Sequence, residues 1–185
     1  TVQATLVEQI AVIKENLSIR RFVIVEGITP TYIHGMGSIG VIVKFDTDCA
    51  DKDGFAEFAK NIALQVGAYP TGYLDRDSVP ASVVEEEKNV LIAQIKNDEK
   101  NAKKPDAIIE KMVTGKIGKF YERVCLVEQA YVKDDKMTVG QYVASVAKEI
   151  GATIKVDSFK IFEKGEGIEK KVDDFAAEVA AQAGL

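Results

Sequence analysis

The densest set of candidate ligands is the stretch FDTDCADKDGF, Phe45 to Phe55, where Asp46, Asp48, Asp51 and Asp53 crowd ahead of Gly54. Carboxylates this close together are the raw material of a calcium loop. An EF-hand loop takes oxygen ligands from positions one, three and five, glycine at six and a bidentate glutamate at twelve, because calcium needs many oxygens. With Gly54 at six, Asp53 and Asp51 fall at five and three, but Cys49 falls at one and Lys60 at twelve. Two essential ligands are missing, so no metal is expected. The remaining reading is a solvated turn whose carboxylates cap a helix starting near Gly54, where unpaired backbone N–H groups favour negative charge.

The single histidine, His34, lies in TYIHGMGSIG. No G-x-S-x-G elbow or Walker P-loop accompanies it, and the glycines of GMGSIG (Gly35 to Gly40) are spaced wrongly for a phosphate cradle. Neither a catalytic residue nor a bound cofactor is expected. Three readings of His34 stand side by side: an exposed turn residue, a general base, or, with Tyr32 and Gly35, a recognition group at a loop tip, where binding residues often sit. Cys49 and Cys125, the only cysteines, lack any C-x-x-C spacing and read as reduced core or surface thiols, or as partners in an intermolecular disulfide.

With 46% hydrophobic and 29% charged residues among 185, the chain has the apolar surface a folded protein buries. A net charge of −5 offers no bulk attraction to phosphate backbones, so direct nucleic-acid binding is not expected. No apolar run approaches the roughly 20 residues a membrane span needs. A membrane partner is not expected either, and the chain reads as cytoplasmic.

Several elements must position these residues. Leu6, Ile10, Ile13 and Leu17 share one stripe of a helix predicted to end about Asn16 to Ser18, and IRRFVIVEG (Ile19 to Gly27) predicts a buried strand. TYIHGMGSIGVIVKF predicts a hairpin with Gly35 and Gly37 at its turn and a strand from Ile39 to Phe45. Phe55, Phe58, Ala59, Ile62 and Val66 then line one helical face, with Gly67 as terminator.

From Ser82 the pattern becomes a long helical hairpin. Ser82 and Glu85 form an S-x-x-E capping box, Val83, Val84, Val90, Leu91 and Ile95 make the first stripe, and Asn101 to Lys104 is the turn. Pro105 suits the first turn of the second helix, whose stripe is Ile108, Ile109, Met112, Val113, Ile117, Phe120, Tyr121 and Val124. Many Lys and Glu positions let the hairpin project into water.

The last third repeats the first. Val139, Val143, Val146 and Ile150 follow Leu6, Ile10, Ile13 and Leu17 at a constant offset, Lys14-Glu15 has a counterpart in Lys148-Glu149, and FVIVE (Phe22 to Glu26) in FKIFE (Phe159 to Glu163). A helix followed by a strand, twice, points to a duplicated α+β unit. Beyond it, Gly165 and Gly167 suggest a hinge before a final helix with Val172, Phe175, Ala176 and Val179 on one narrow apolar face.

Five motifs, ENLSIRRFVIVEG, YIHG followed by IGVIV, PDAIIEKMVTGKIGKFYERVCLVEQAYVKDD, TVGQYV and GEGIEKKVDDFAAEVAAQ, together resemble the bacterial elongation factor Ts family, in the family's order and across nearly the whole chain. The resemblance implies a guanine-nucleotide exchange factor for elongation factor Tu, with no enzymatic chemistry of its own. It implies an α+β fold: a duplicated helix and antiparallel-sheet core, an inserted antiparallel helical hairpin and a C-terminal helix. On this numbering 1–27 would be a remnant of the first core subdomain, 28–81 and 125–164 the second, 82–124 a coiled-coil hairpin and 165–185 a C-terminal helical module.

By the same resemblance, the chain corresponds to the C-terminal part of a family member, without the small N-terminal domain and the Thr-Asp-Phe motif that approaches the magnesium and phosphate site of the GTPase. Thr47-Asp48-Cys49 would be an echo of that motif without its phenylalanine. The contact residues it implies are Tyr32, His34 and Gly35, facing the β-barrel region of the GTPase, and Phe175, Ala176 and Val179 on the terminal helix. A homodimer is a further expectation, since exposed sheet edges and apolar surface invite a second copy.

Overall fold

The computed structural model describes residues 1–101 and 104–168 of the chain. In order these form α1 (Val2–Ile13), β1 (Thr31–His34), a 3-10 turn (Gly35–Gly37), β2 (Ile39–Thr47), α2 (Phe55–Ala68), α3 (Ala81–Asn97), α4 (Asp106–Val124), a second 3-10 turn (Leu126–Glu128), β3 (Ala130–Tyr131), β4 (Asp134–Thr138), α5 (Val139–Ile150) and β5 (Ile154–Glu163). The fold is α+β, with an antiparallel sheet in the order β1-β2-β5 and a two-stranded ribbon of β3 and β4. No helix among the described residues is long and apolar enough to cross a membrane.

Strand alternation builds the core. Val41, Val43 and Phe45 of β2 point inward and are buried, joined by Ile154 and Val156 of β5, while Ile42, Lys44 and Asp46 point the other way. The five face residues of α2, Phe55, Phe58, Ala59, Ile62 and Val66, cover that inner face together with Val139 of α5. Phe58 is central: its ring lies 5.6 Å from Phe45 and 5.5 Å from Tyr142. Complete burial of one such side chain stabilises by about 1.5–3 kcal/mol.

The hairpin has its own smaller core, Leu91 and Ile95 of α3 against Ile109 and Val113 of α4, with Arg123 reaching Glu87 and Lys96 reaching Asp106, so the helices run antiparallel. Its two ends are stitched together. Gly72 and Tyr73 N–H groups both donate to the Val124 carbonyl, and Leu126 N–H donates to the Tyr73 carbonyl. Beneath that root lies a buried polar knot: Gln65 Nε2 donates to Gln129 Oε1 at 3.1 Å, and Gln129 Nε2 donates to Thr71 Oγ1 and to the Arg123 carbonyl. Val132 N–H donates to Gln65 Oε1 at 2.8 Å. Every buried polar side-chain atom described is satisfied, as a low-dielectric interior requires.

Several sequence expectations are corrected. Residues 19–27 form no strand; Phe22 and Ile24 are 79% and 80% exposed, because β-propensity expresses fit to a neighbouring pleated surface and the described residues supply none there. The first helix ends at Ile13 with Lys14 in left-handed backbone, earlier than Asn16 to Ser18. The Ser82–Glu85 capping box does not form: α3 starts two residues earlier, at Ala81 with Pro80 as its N-cap, and the Pro80 carbonyl accepts from Val83 and Val84. A real capping box joins Thr138 to Gln141 at the head of α5. The hairpin connection is longer than Asn101 to Lys104, since α3 ends at Asn97 and α4 begins at Asp106 after Pro105. Val90 and Ile108 of the hairpin stripes are about half exposed.

The aspartates do not cap α2 either. Its N-cap is Gly54 in left-handed backbone, with no side-chain bond. Asp48 instead accepts from Thr153 N–H at 2.9 Å, and Thr47 Oγ1 donates to the Thr153 carbonyl, so the loop stitches the end of β2 to the turn between α5 and β5. Cys49 and Cys125 are both buried thiols rather than surface ones, and burial, helped by Glu128 and Asp75, pushes the Cys125 thiol up to about 11.

Candidate partner-binding surface

The exposed end of the β1–β2 hairpin is built by backbone conformation. Gly35, Met36 and Gly37 all have positive φ (58°, 53° and 92°), a left-handed run that glycine enters freely and methionine does not. A side chain at Gly35 would collide with the Ser38 hydroxyl, which donates to the His34 carbonyl at 3.3 Å. The result pushes the Met36 side chain fully into solvent. Holding a non-glycine residue there costs about 1–2 kcal/mol, and an adaptable thioether presented in this way suits a binding surface.

Strand alternation puts Tyr32 and His34 together on the opposite face of β1 from the exposed Ile33. Their rings lie 5.8 Å apart, and the Tyr32 hydroxyl shares a 3.2 Å hydrogen bond with His34 Nδ1. Both are half-buried against α2. That approach depends on Gly67: a Cβ there would meet Val41 Cγ2 at 3.3 Å and the side chains of His34 and Tyr32 at 3.6 Å. Gly67 therefore does not terminate α2, which runs on to Ala68; it lets the helix pass close under the strand.

Beside this end an apolar groove of about 530 Å³ opens between Ile39, Gly67, Tyr69, Pro70, Val124 and Ile161. Another, of about 590 Å³, is flanked by Glu122, Arg123, Asp135 and Lys136, charges of both signs. Among the described residues no group of three or more His, Cys, Asp and Glu is arranged to hold a metal.

Sequence reasoning named Tyr32, His34 and Gly35, and the structure gathers all three at this tip. It missed Met36 and Gly67. The signal for Met36 was its place between two glycines; for Gly67, nothing local separates a packing glycine from a terminating one. Phe175, Ala176 and Val179 lie outside the described residues. The chain that leads to them leaves from the same end, since Lys164 N–H, just after β5, donates to the Ser38 carbonyl at 2.7 Å. Gly165 and Gly167 form a closed turn, with Glu166 N–H donating to Glu163 and Ile168 N–H to Gly165.

A family profile described as Elongation factor TS matches residues 1–166. The chain belongs to the elongation factor Ts family. Among curated relatives named Elongation factor Ts, that of Trichlorobacter lovleyi is 46% identical over 191 residues, covering 100% of this chain and 60% of the relative. The Clostridium kluyveri protein is 43% identical over 185 residues, and that of Syntrophotalea carbinolica 42% over 184, each covering 98% of this chain and 59% of the relative. The chain thus spans about three-fifths of the length of the elongation factor Ts relatives it matches.

Proposed function

We propose that the chain binds elongation factor Tu, the GTPase that delivers aminoacyl-tRNA to the ribosome, and promotes GDP release by gripping the nucleotide-free form more tightly than the GDP-bound one. Family membership supports this reading, and the observation that carries it is the glycine-bracketed tip that thrusts Met36 into solvent beside Tyr32 and His34. Binding affects both ligands equally: a preference of about 5.5 kcal/mol for the empty GTPase would weaken nucleotide binding roughly 10⁴-fold. Recognition alone suffices, with no covalent step, catalytic residue or cofactor. The site of action is the cytoplasm.

In this reading Tyr32, His34, Gly35 and Met36 meet the β-barrel region of the GTPase, while Phe175, Ala176 and Val179 make a second contact. Thr47-Asp48-Cys49 takes no part, because Cys49, where the family motif has phenylalanine, faces the core. The α3–α4 hairpin, read as the coiled-coil insertion, stays clear of the contact. Calorimetric titration into nucleotide-free elongation factor Tu is expected to give micromolar or tighter binding that weakens with Met36→Ser and with Phe175→Ala. Absence of a binding heat would overturn the proposal.

A second reading, self-association, draws on the exposed apolar side chains of Val2, Val12, Phe22 and Ile24, which a second copy could cover. Sedimentation distinguishes it: a monomer at the highest attainable concentration removes the homodimer.

A further inference from the structure

The Tyr32–His34 pair fixes more than the place of two rings. Residues two apart on a strand project from the same face, and both of these lean on α2 where Gly67 leaves room for them. The His34 main chain is pinned, since its carbonyl accepts from Ser38 N–H at 3.1 Å and from the Ser38 hydroxyl at 3.3 Å. The imidazole makes one hydrogen bond, 3.2 Å between its Nδ1 and the Tyr32 hydroxyl. Its other nitrogen, Nε2, has no hydrogen-bond partner among the described residues. Every buried polar side-chain atom described is satisfied, so Nε2 reaches the surface.

A neutral imidazole carries one proton, and the hydrogen bond at one nitrogen decides which of the two holds it. Donation from the Tyr32 hydroxyl makes Nδ1 the acceptor and leaves the proton on Nε2. The ring can also turn about χ2 and exchange its edges; the same hydrogen bond keeps Nδ1 on the Tyr32 side. Tautomer and orientation are thereby set together, and the hairpin tip presents an N–H donor near the exposed Met36. The plain alternative is that the pair is hairpin packing and no more. Two observations favour recognition: Tyr32 is half-buried, where water would satisfy its hydroxyl without His34, and the nitrogen left over finds no partner within the described chain.

We propose that Tyr32 is a positioning residue for His34: its hydroxyl holds the imidazole as the Nε2–H tautomer, so that the tip offers a hydrogen-bond donor to an oxygen acceptor, a carbonyl or carboxylate, of the partner. The proposal rests on the elongation factor Tu reading and deepens it, by naming the chemistry that the tip recognises. A donor ordered before contact lowers the cost of binding. Without the hydroxyl the ring samples both tautomers and both edges, and only a fraction of the molecules is ready to bind.

His34 is the only histidine of the chain, so its ring gives the only imidazole nitrogen signals in an NMR spectrum. In the free chain, with the ring neutral, the proton is expected on Nε2, and Tyr32→Phe should move the signals toward a mixture of tautomers. A proton on Nδ1 in the unaltered chain, or unchanged signals in Tyr32→Phe, overturns the proposal. The second readout is the dissociation constant for nucleotide-free elongation factor Tu. Tyr32→Phe is expected to weaken binding about fivefold, the scale of one hydrogen bond. In a His34→Gln background, where an amide N–H near the Nε2 position needs no hydroxyl to orient it, the loss should be less than about twofold, a non-additivity that marks coupled groups. His34→Gln should also bind more tightly than His34→Asn, whose shorter amide falls nearer the Nδ1 position. Equal losses from Tyr32→Phe in both backgrounds would assign the hydroxyl to packing and contradict the positioning role, leaving the binding reading intact. No binding by the unaltered chain would sink that reading and the recognition role of His34 with it. An unchanged denaturation midpoint in Tyr32→Phe excludes unfolding as the cause, and the tautomer readout does not depend on binding.

Discussion

Helices α1 and α5 carry apolar residues at the same spacing, Leu6, Ile10 and Ile13 in one and Val139, Val143 and Val146 in the other, yet among the described residues only those of α5 pack on the main core. Helix α5 opens on the Thr138–Gln141 capping box, buries Val139 entirely, and lays Tyr142 against Phe58 and in a 4.0 Å stack on Tyr131. Helix α1 has a Thr1 cap, no buried residue, and a C-cap at Lys14 where a glycine would be at ease. A stripe specifies which face of a helix is apolar; burial is decided by whether a second surface receives it. Most helical stability comes from that packing, and among the described residues α1 receives little of it and leans on its own propensity and caps.

The largest expected contrast lies between two phenylalanines. Phe58→Ala should lower the unfolding free energy by about 3–5 kcal/mol, whereas Phe22→Ala, at an exposed position of the N-terminal arm, should stay within about 0.5 kcal/mol. Denaturant unfolding monitored by circular dichroism reads both, and similar losses would erase the distinction. The helices themselves come next: Val139→Ala should cost about 2 kcal/mol, and Leu6→Ala, half-buried at most, clearly less. A loss at Leu6 as large as at Val139 would mean that α1 is tied into the core.

The smallest effects concern the helix ends. Thr138→Ala removes the capping box and should cost about 1 kcal/mol. Lys14→Gly should relieve about 1 kcal/mol of left-handed strain and slow amide exchange across α1 about fivefold. The global midpoint should not move, because α1 opens separately from the core. A midpoint that rises with Lys14→Gly would show the two helices unfolding as one.

The comparison also marks what was legible in the chain. The β1–β2 hairpin was readable because Gly35 and Gly37 flank a turn and the run from Ile39 is strongly apolar; the α2 face was readable because its five residues keep one period and meet the sheet. The same reasoning applied to 19–27 predicted a strand that does not form, since β-branched residues announce suitability for a sheet and not the presence of a neighbour. The Gln65–Thr71–Gln129 knot left no local signature, as it joins residues far apart in the chain. At the hairpin tip, Tyr32, His34 and Gly35 stood out by residue type; Met36 had only its place between two glycines as a signal, and its positive φ and exposure belong to the fold.

The most direct measurement is the release rate of a fluorescent GDP from elongation factor Tu as this chain is added, beside the same titration with a full-length elongation factor Ts relative. The release rate is expected to rise with concentration and level off as the GTPase saturates, with Met36→Ser shifting the curve to higher concentration. A rate that stays flat while calorimetry shows the GTPase saturated would contradict nucleotide exchange as the function of this chain.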